Sequence, residues 1–265
     1  MSKTLSERYP GAALITGASA GLGEAFARRC AAEGMDLILV ARRAERLEEL
    51  AAELQKAHGI RAHAVPQDLQ EPDCHEKLKA SCDELGLRVS MLINNAGFGS
   101  HDLFHKVDIE TQLRMIDVNC RAPVALTGVF LPSMLERGNG AVVFLASTAA
   151  YQPTPWFATY GATKTFDLML GEALWAETRG TGVDVIAVSP GYTLTEFQAV
   201  ADVRALPPKA LWAKPEAVVN TCFANLGKKP SAIDGTLNAI AAFLPRINSR
   251  KTVAALAKGM LKPER

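Results

Sequence analysis

The sequence predicts an α/β fold: a single doubly wound domain with a parallel sheet and helices on both faces. Three observations carry that expectation. Short apolar runs alternate with runs of helical period through the first 190 residues, as chained βαβ units require. The first apolar run ends in a glycine-rich turn that opens a helix. The polar residues fit for chemistry stand where apolar runs stop, and in an open parallel sheet those carboxyl ends converge on one crevice.

Residues 11–16 (Gly-Ala-Ala-Leu-Ile-Thr) read as the first buried strand, followed by the turn Gly17-Ala-Ser-Ala-Gly21-Leu-Gly23 and a helix over 21–33. Asp36-Leu-Ile-Leu-Val-Ala41 is the second strand. A helix over 44–57 follows, where Arg46-Leu-Glu-Glu-Leu-Ala-Ala-Glu-Leu has apolar residues at the i, i+3, i+4 spacing. The pattern continues with a helix over 72–86, a strand at Val89–Ile93 ending at Asn94, and a long helical run over 109–137 that Pro123 and Pro132 bend or end. A strand at 142–146 stops at Ser147, a helix covers 158–178, Ile186–Ser189 runs into Pro190-Gly191, and a last helix covers 215–227.

The first turn suits a dinucleotide. Glycines let the backbone approach a pyrophosphate, and the helix start offers free N–H groups and a positive dipole. Its spacing is Gly-x-x-x-Gly-x-Gly, with Ser19, Ala20 and Leu22 between the glycines. Asp36 stands where a simple count places an acidic ribose ligand, but it begins its strand, about 16 Å from the end where ligands bind. The residue at the right end is Ala41, followed by Arg42 and Arg43. A guanidinium there grips a 2′-phosphate with two hydrogen bonds, which favours NADP(H) over NAD(H). Arg42 is the favoured phosphate contact; Arg43 reads equally well as a contact or as a solvated helix start.

Tyr160 and Lys164 lie four residues apart at the start of a helical pattern, thirteen residues after Ser147. Positions i and i+4 share a helix face. A cation beside a phenol favours the phenolate, so the pair can exchange a proton with a substrate oxygen.

The ordered set Thr16-Gly-Ala-Ser-Ala-Gly-Leu-Gly23, Asp68-Leu69, Asn94-Asn-Ala-Gly97, Asn119, Ser147, Tyr160-x-x-x-Lys164 and Pro190-Gly191 with Thr193 and Thr195 resembles the short-chain dehydrogenase/reductase family, over about residues 10–200. The resemblance implies a Rossmann-type fold and an oxidoreductase using NADP(H). It makes Tyr160 the general acid/base, Ser147 the group that orients the substrate oxygen, Lys164 the residue that lowers the phenol's pKa and binds ribose, and Asn119 a support for the lysine through a water. It also assigns Gly17, Ser19, Ala20, Gly21, Leu22 and Gly23 to the pyrophosphate turn, Asp68 and Leu69 to adenine, Asn94, Asn95, Ala96 and Gly97 to the adenosine side, and Pro190, Gly191, Thr193 and Thr195 to the nicotinamide end. The expected reaction is reduction of a ketone or aldehyde, or its reverse. A lipid-like substrate (a 3-oxoacyl thioester or a steroid) is the alternative within the class. A non-catalytic nucleotide-sensing regulator is the alternative outside it, though such proteins typically lose the tyrosine or the lysine.

At 265 residues and a formal net charge of +1, nothing global points to nucleic acid. No uninterrupted apolar stretch of membrane-spanning length and no signal-peptide core is read. Five scattered cysteines without a Cys-x-x-Cys pair fit a reducing, cytoplasmic location and no disulfide framework. His101 and His105 lack ligand partners at metal spacing, so no metal is expected.

Two segments depart from the core pattern. Residues 192–213, with Phe197, Val200, Leu206, Leu211 and Trp212, read as a substrate lid that joins Tyr151, Trp156 and Phe157 around an apolar pocket. In the tail, 231–265, the last strand is short or missing and two amphipathic helices break at Pro245. From Arg246 the tail carries six Lys or Arg and one acidic residue, Glu264. It is expected to cover the pocket or meet a partner subunit, and its basic face offers contact to an anionic substrate or a membrane surface. A homo-oligomer is expected.

Overall fold

The computed structural model describes residues 3–203 and 212–262. Its elements run α1 (Leu5–Arg8), β1 (Ala12–Thr16), α2 (Gly21–Ala32), β2 (Asp36–Ala41), α3 (Ala44–His58), β3 (Ala62–Pro66), α4 (Cys74–Glu84), β4 (Val89–Asn94), α5 (Ile109–Ile116), α6 (Ala122–Arg137), β5 (Gly140–Leu145), α7 (Ala158–Glu177), β6 (Val183–Ser189), α8 (Phe197–Val200), α9 (Pro215–Asn225), β7 (Ser231–Ile233), α10 (Thr236–Phe243) and α11 (Arg250–Met260). The strands form one sheet in the order β3-β2-β1-β4-β5-β6-β7. Every pairing is parallel. The strand order reverses between β1 and β4, and at such a switch point the crevice opens.

Both faces of the sheet are buried, which explains its continuous apolar strands. On β1 and β2, Ala13, Ile15, Leu37 and Leu39 pack against the layer that includes Phe26, Leu47 and Val218. Their alternates Ala12, Leu14, Ile38 and Val40 face Leu78, Leu126 and Phe130 on the other side. Alternation of side chains along each strand thus feeds two cores from one run of apolar residues.

The expected 109–137 helix is three pieces: α5, a π-helical turn at Asp117–Arg121, and α6. Pro123 stands in the first turn of α6, directly after the π-helical turn, and Pro132 lies inside that helix. The wide turn, a geometry common at functional sites, places buried Asn119 beside the crevice. The run Ile109–Arg137 is long and apolar enough to cross a bilayer by length and composition, an 18-residue window of it reaching a mean hydropathy of 1.2, although charged residues interrupt it. In the fold it packs Leu126, Phe130 and Met134 into the core.

The final strand exists but is three residues long. The tail folds as expected into α10 and α11, separated by a 3-10 turn at Leu244–Ile247 that holds Pro245. β3 had no counterpart in the sequence reading. Its alternation is weak, with only Ala62 buried, and it is a sheet edge.

Candidate active site

The glycine turn leaves β1 and enters α2 at the crevice. An added Cβ on Gly23 would lie 2.2 Å from the Gly17 carbonyl oxygen, and one on Gly17 would lie 2.8 Å from Asn95 Nδ2. Gly17 also holds a positive φ of 67°, which side chains rarely adopt. The N-cap of α2 is Ala20, which supplies no side-chain hydrogen bond to the helix start. The first N–H groups of α2 therefore face the cleft without a side-chain cap, the donor set a pyrophosphate takes. These residues fit a dinucleotide.

Asp36 lies at the far end of β2, where its carboxylate takes two bonds from the Arg61 guanidinium (2.7 and 3.0 Å) and one from the Arg61 N–H at 2.8 Å. The adenosine half of the cleft is lined by Gly17, Ser19, Ala20, Gly21, Leu22, Arg42, Arg43, Asp68, Leu69, Asn95, Ala96 and Gly97. Asn94 does not line it: its amide donates to Thr127 at 3.2 Å, because successive residues of a strand point to opposite sides. Asn95 donates instead to the Thr16 carbonyl at 2.8 Å and ties the ends of β1 and β4 together. The two arginines differ. Arg43 is held by Ser19 Oγ (2.9 Å) and by Glu196 (2.8 Å), whereas Arg42 is exposed at the cleft.

The other half of the cleft is a cavity of about 920 Å³. Ser147, Tyr160, Lys164, Pro190, Gly191, Thr193 and Thr195 all line it. Ser147 ends the β5 run and caps the short 3-10 turn after it, accepting from Ala149 N–H at 3.1 Å. Tyr160 and Lys164 come from the first turns of α7. Burial pushes the Tyr160 phenol above its ordinary range, while the Lys164 charge and a hydrogen bond from Ser147 pull the other way. The net direction is upward, the reverse of the sequence expectation, because desolvation of the phenolate outweighs the nearby cation.

Burial disfavours the Lys164 ammonium, but Asp167 and Tyr160 more than offset it and hold its pKa above the usual value. Lys164 Nζ donates to the Leu145 carbonyl at 2.6 Å and to Asp167 Oδ2 at 2.9 Å. Both side chains of this pair are almost fully buried, at 6% and 4% exposure. Asp167 escaped the sequence reading, although an acid three residues past the lysine in an otherwise apolar stretch of helix was a visible signal. Asn119 clamps the loop after β4: Oδ1 accepts from Phe98 N–H (3.1 Å), and Nδ2 donates to the Phe98 carbonyl and to Thr163 Oγ1 (3.0 Å each).

Of the aromatics expected around the pocket, Phe157 and Phe197 line it. Tyr151 turns away to Ser189, 3.3 Å between oxygens, and Trp212 packs on Tyr192 and lines a neighbouring crevice. Trp156 reaches the tail and bonds the Lys258 carbonyl. Val200 faces the adenosine half. Leu206 and Leu211 of the lid lie outside the described residues. No group of three or more potential metal ligands occurs among the described residues.

A doubly wound sheet with a serine, a tyrosine and a lysine gathered beside its switch point has the architecture of a dinucleotide-dependent oxidoreductase. A family model described as short chain dehydrogenase matches residues 11–204. Sulfoacetaldehyde reductase 2 of Chromohalobacter salexigens is 40% identical over 189 residues, 71% of this chain and 74% of that protein. A structure solved in a study of 7beta-hydroxysteroid dehydrogenase stereoselectivity superposes with a TM-score of 0.88 at 29% identity, covering 96% of this chain and 99% of that one. A short-chain dehydrogenase from Sphingobium yanoikuyae in complex with NADPH gives a TM-score of 0.78 at 30% identity, covering 91% and 97%. The protein belongs to the short-chain dehydrogenase/reductase family and is an oxidoreductase of that family.

Proposed function

We propose that the protein interconverts a carbonyl and an alcohol with NADP(H), acting as a reductase of a ketone or aldehyde. The observation that carries this reading is the convergence of Ser147, Tyr160 and Lys164 on the 920 Å³ cavity that adjoins the glycine turn. The pyrophosphate would rest on the α2 start and the adenosine half on Asp68, Leu69, Asn95, Ala96 and Gly97. Arg42 would meet a 2′-phosphate. Pro190, Gly191, Thr193 and Thr195 would flank the nicotinamide. When bound, that ring supplies the hydride.

Ser147 donates a hydrogen bond to the substrate oxygen and sets its position. The Tyr160 hydroxyl gives its proton to that oxygen, and the phenolate left behind is stabilised by the Lys164 charge. Asp167 keeps that lysine charged in its buried site. Asn119 fixes the backbone that carries Gly97, where an added Cβ would come within 3.1 Å of its own Oδ1.

A second reading, a lipid-like substrate such as a steroid or a 3-oxoacyl thioester, is favoured by the apolar lining from Phe157, Phe197, Val203 and Leu261 and by the hydroxysteroid dehydrogenase neighbour. Exposed Ile109, Leu113, Phe166 and Met169 on α5 and α7 suit burial against a second copy of the chain, which would make the protein a homo-oligomer. Its free cysteines suit a reducing compartment such as the cytoplasm.

The test is oxidation of NADPH and, separately, of NADH against a panel of ketones, aldehydes and 3-oxoacyl thioesters. Turnover with NADPH alone is expected. Tight NADPH binding with no turnover across the panel would favour the nucleotide-sensing regulator.

A further inference from the structure

The far wall of the catalytic cavity is built by the end of the tail. Gly259, Met260, Leu261 and Lys262 line it together with Ser147 and Tyr160. α11 has little else to hold it, because only Val253 and Ala257 of its residues are buried. Its last turn is instead gripped by side chains from the loops beside the active site. Trp156 Nε1 donates to the Lys258 carbonyl at 3.3 Å, and His101 Nε2 lies 2.9 Å from the Leu261 carbonyl. Carbonyls at a helix C-terminus have no partner within the helix, so these side chains satisfy groups that otherwise need water.

His101 is a junction. It is buried at 4% exposure, its ring stacks on Phe157 with 4.4 Å between centroids, and its backbone N–H donates to the Ala201 carbonyl at the end of α8. Phe157 in turn lies 5.8 Å from the Tyr160 ring. The tail, the segment after β6 and Tyr160 therefore meet at His101, which reaches the tail and Phe157 with its ring and Ala201 with its backbone. Trp156 sits at a φ of 72°, a conformation a bulky residue adopts only where its surroundings impose it. That backbone orients the indole to the tail, while the Trp156 carbonyl accepts from Asp102 N–H at 3.0 Å. Met260 meanwhile keeps 79% of its surface exposed beside the cavity, apolar area that a bound molecule would cover.

We propose that residues 258–262 are the wall that sets substrate size, held in place by His101 and Trp156, and that they select ketones with a bulky apolar body lying against Met260 and Leu261. This rests on the carbonyl-reductase reading. Small ketones would be held by Ser147 and Tyr160 alone, whereas bulky ones would gain affinity from the wall.

The experiment compares the full chain with a chain ending at Ala257 and with the double variant His101→Phe/Trp156→Phe, which keeps both aromatic rings and removes both tail contacts. For each, kcat and KM with NADPH are measured for cyclohexanone and for a fused-ring polycyclic ketone, and binding of the polycyclic ketone to the NADPH-loaded protein is read by calorimetry. Loss of contact with one or two apolar side chains corresponds to roughly tenfold or more in affinity. The expected result is a fall of about tenfold or more in the polycyclic-to-cyclohexanone ratio of kcat/KM in the shortened chain, carried by KM. The double variant should fall in the same direction by a smaller factor. An unchanged or increased ratio overturns the wall. Polycyclic-ketone binding that weakens with the wall, with no turnover by the full chain, supports the wall and removes the reductase reading. No ketone binding by the full chain removes both.

Discussion

In the proposed reduction Tyr160 would hold a proton until a carbonyl oxygen takes it, and its surroundings favour retention. Burial raises the phenol's pKa, and the opposing pull of Lys164 and Ser147 does not reverse the shift. The sign for catalysis follows directly. Below that raised value the hydroxyl is protonated and can serve reduction; as pH rises through it, the donor is lost. We therefore expect kcat/KM for ketone reduction to be level through neutral pH and to fall only above the ordinary range of a phenol, measured as a pH profile with NADPH. A limb near pH 7 would mean that the cation prevails over burial. Tyr160→Phe should lower kcat by about 10²–10⁴-fold, the usual scale for acid–base catalysis; turnover close to that of the unaltered enzyme would refute the role. Among the described residues Arg42 has no partner to give up for a phosphate, unlike Arg43. Arg42→Ala should weaken NADPH far more than NADH in fluorescence titrations, and equal losses would show that Arg42 does not read the 2′-phosphate.

At the scale of elements, the segment after β6 reaches back over the nucleotide half of the cleft. Glu196 lies 2.8 Å from Arg43 and 2.8 Å from Arg46, so a single carboxylate ties this segment to the start of α3. These side chains are about half exposed, and such pairs are worth roughly 0.2–1 kcal/mol. Glu196→Gln removes a negative charge from beside the place proposed for the 2′-phosphate. It should tighten NADPH by about two- to fivefold and leave NADH little changed, a contrast that parallel Kd measurements would read. The elements themselves were legible where periodicity was strong, as for α2, α3 and α7. The π-helical turn at Asp117–Arg121 was not, because an inserted residue in a helix leaves the local apolar pattern almost intact. Edge strand β3 was missed for the opposite reason: with a single buried residue it has little pattern to read.

At the scale of the whole molecule, the first helix is tied to the sheet by a contact across most of the chain. Asp184 on β6 accepts from Arg8 at 2.7 Å and from the Tyr9 hydroxyl at 2.6 Å, and burial together with this carboxylate pushes the Tyr9 phenol well above its ordinary range. Asp184→Ala strands the buried Tyr9 hydroxyl and removes the ion pair to Arg8. It should reduce unfolding stability by about 1.5–3 kcal/mol, the range for hydrogen bonds to a charged group; urea denaturation would measure it, and a change below about 0.5 kcal/mol would show that water replaces the carboxylate. What the sequence by itself determined was the alternation of strands and helices, the glycine turn, and the order of Ser147, Tyr160 and Lys164, since each rests on local spacing. The tertiary structure alone decided that Asn95 and not Asn94 lines the cleft, that Asp167 pairs with buried Lys164, and that His101 and Trp156 hold the tail against the cavity. Those outcomes depend on which distant segments share a volume and on how burial weighs against charge, and neither quantity exists until the chain is packed.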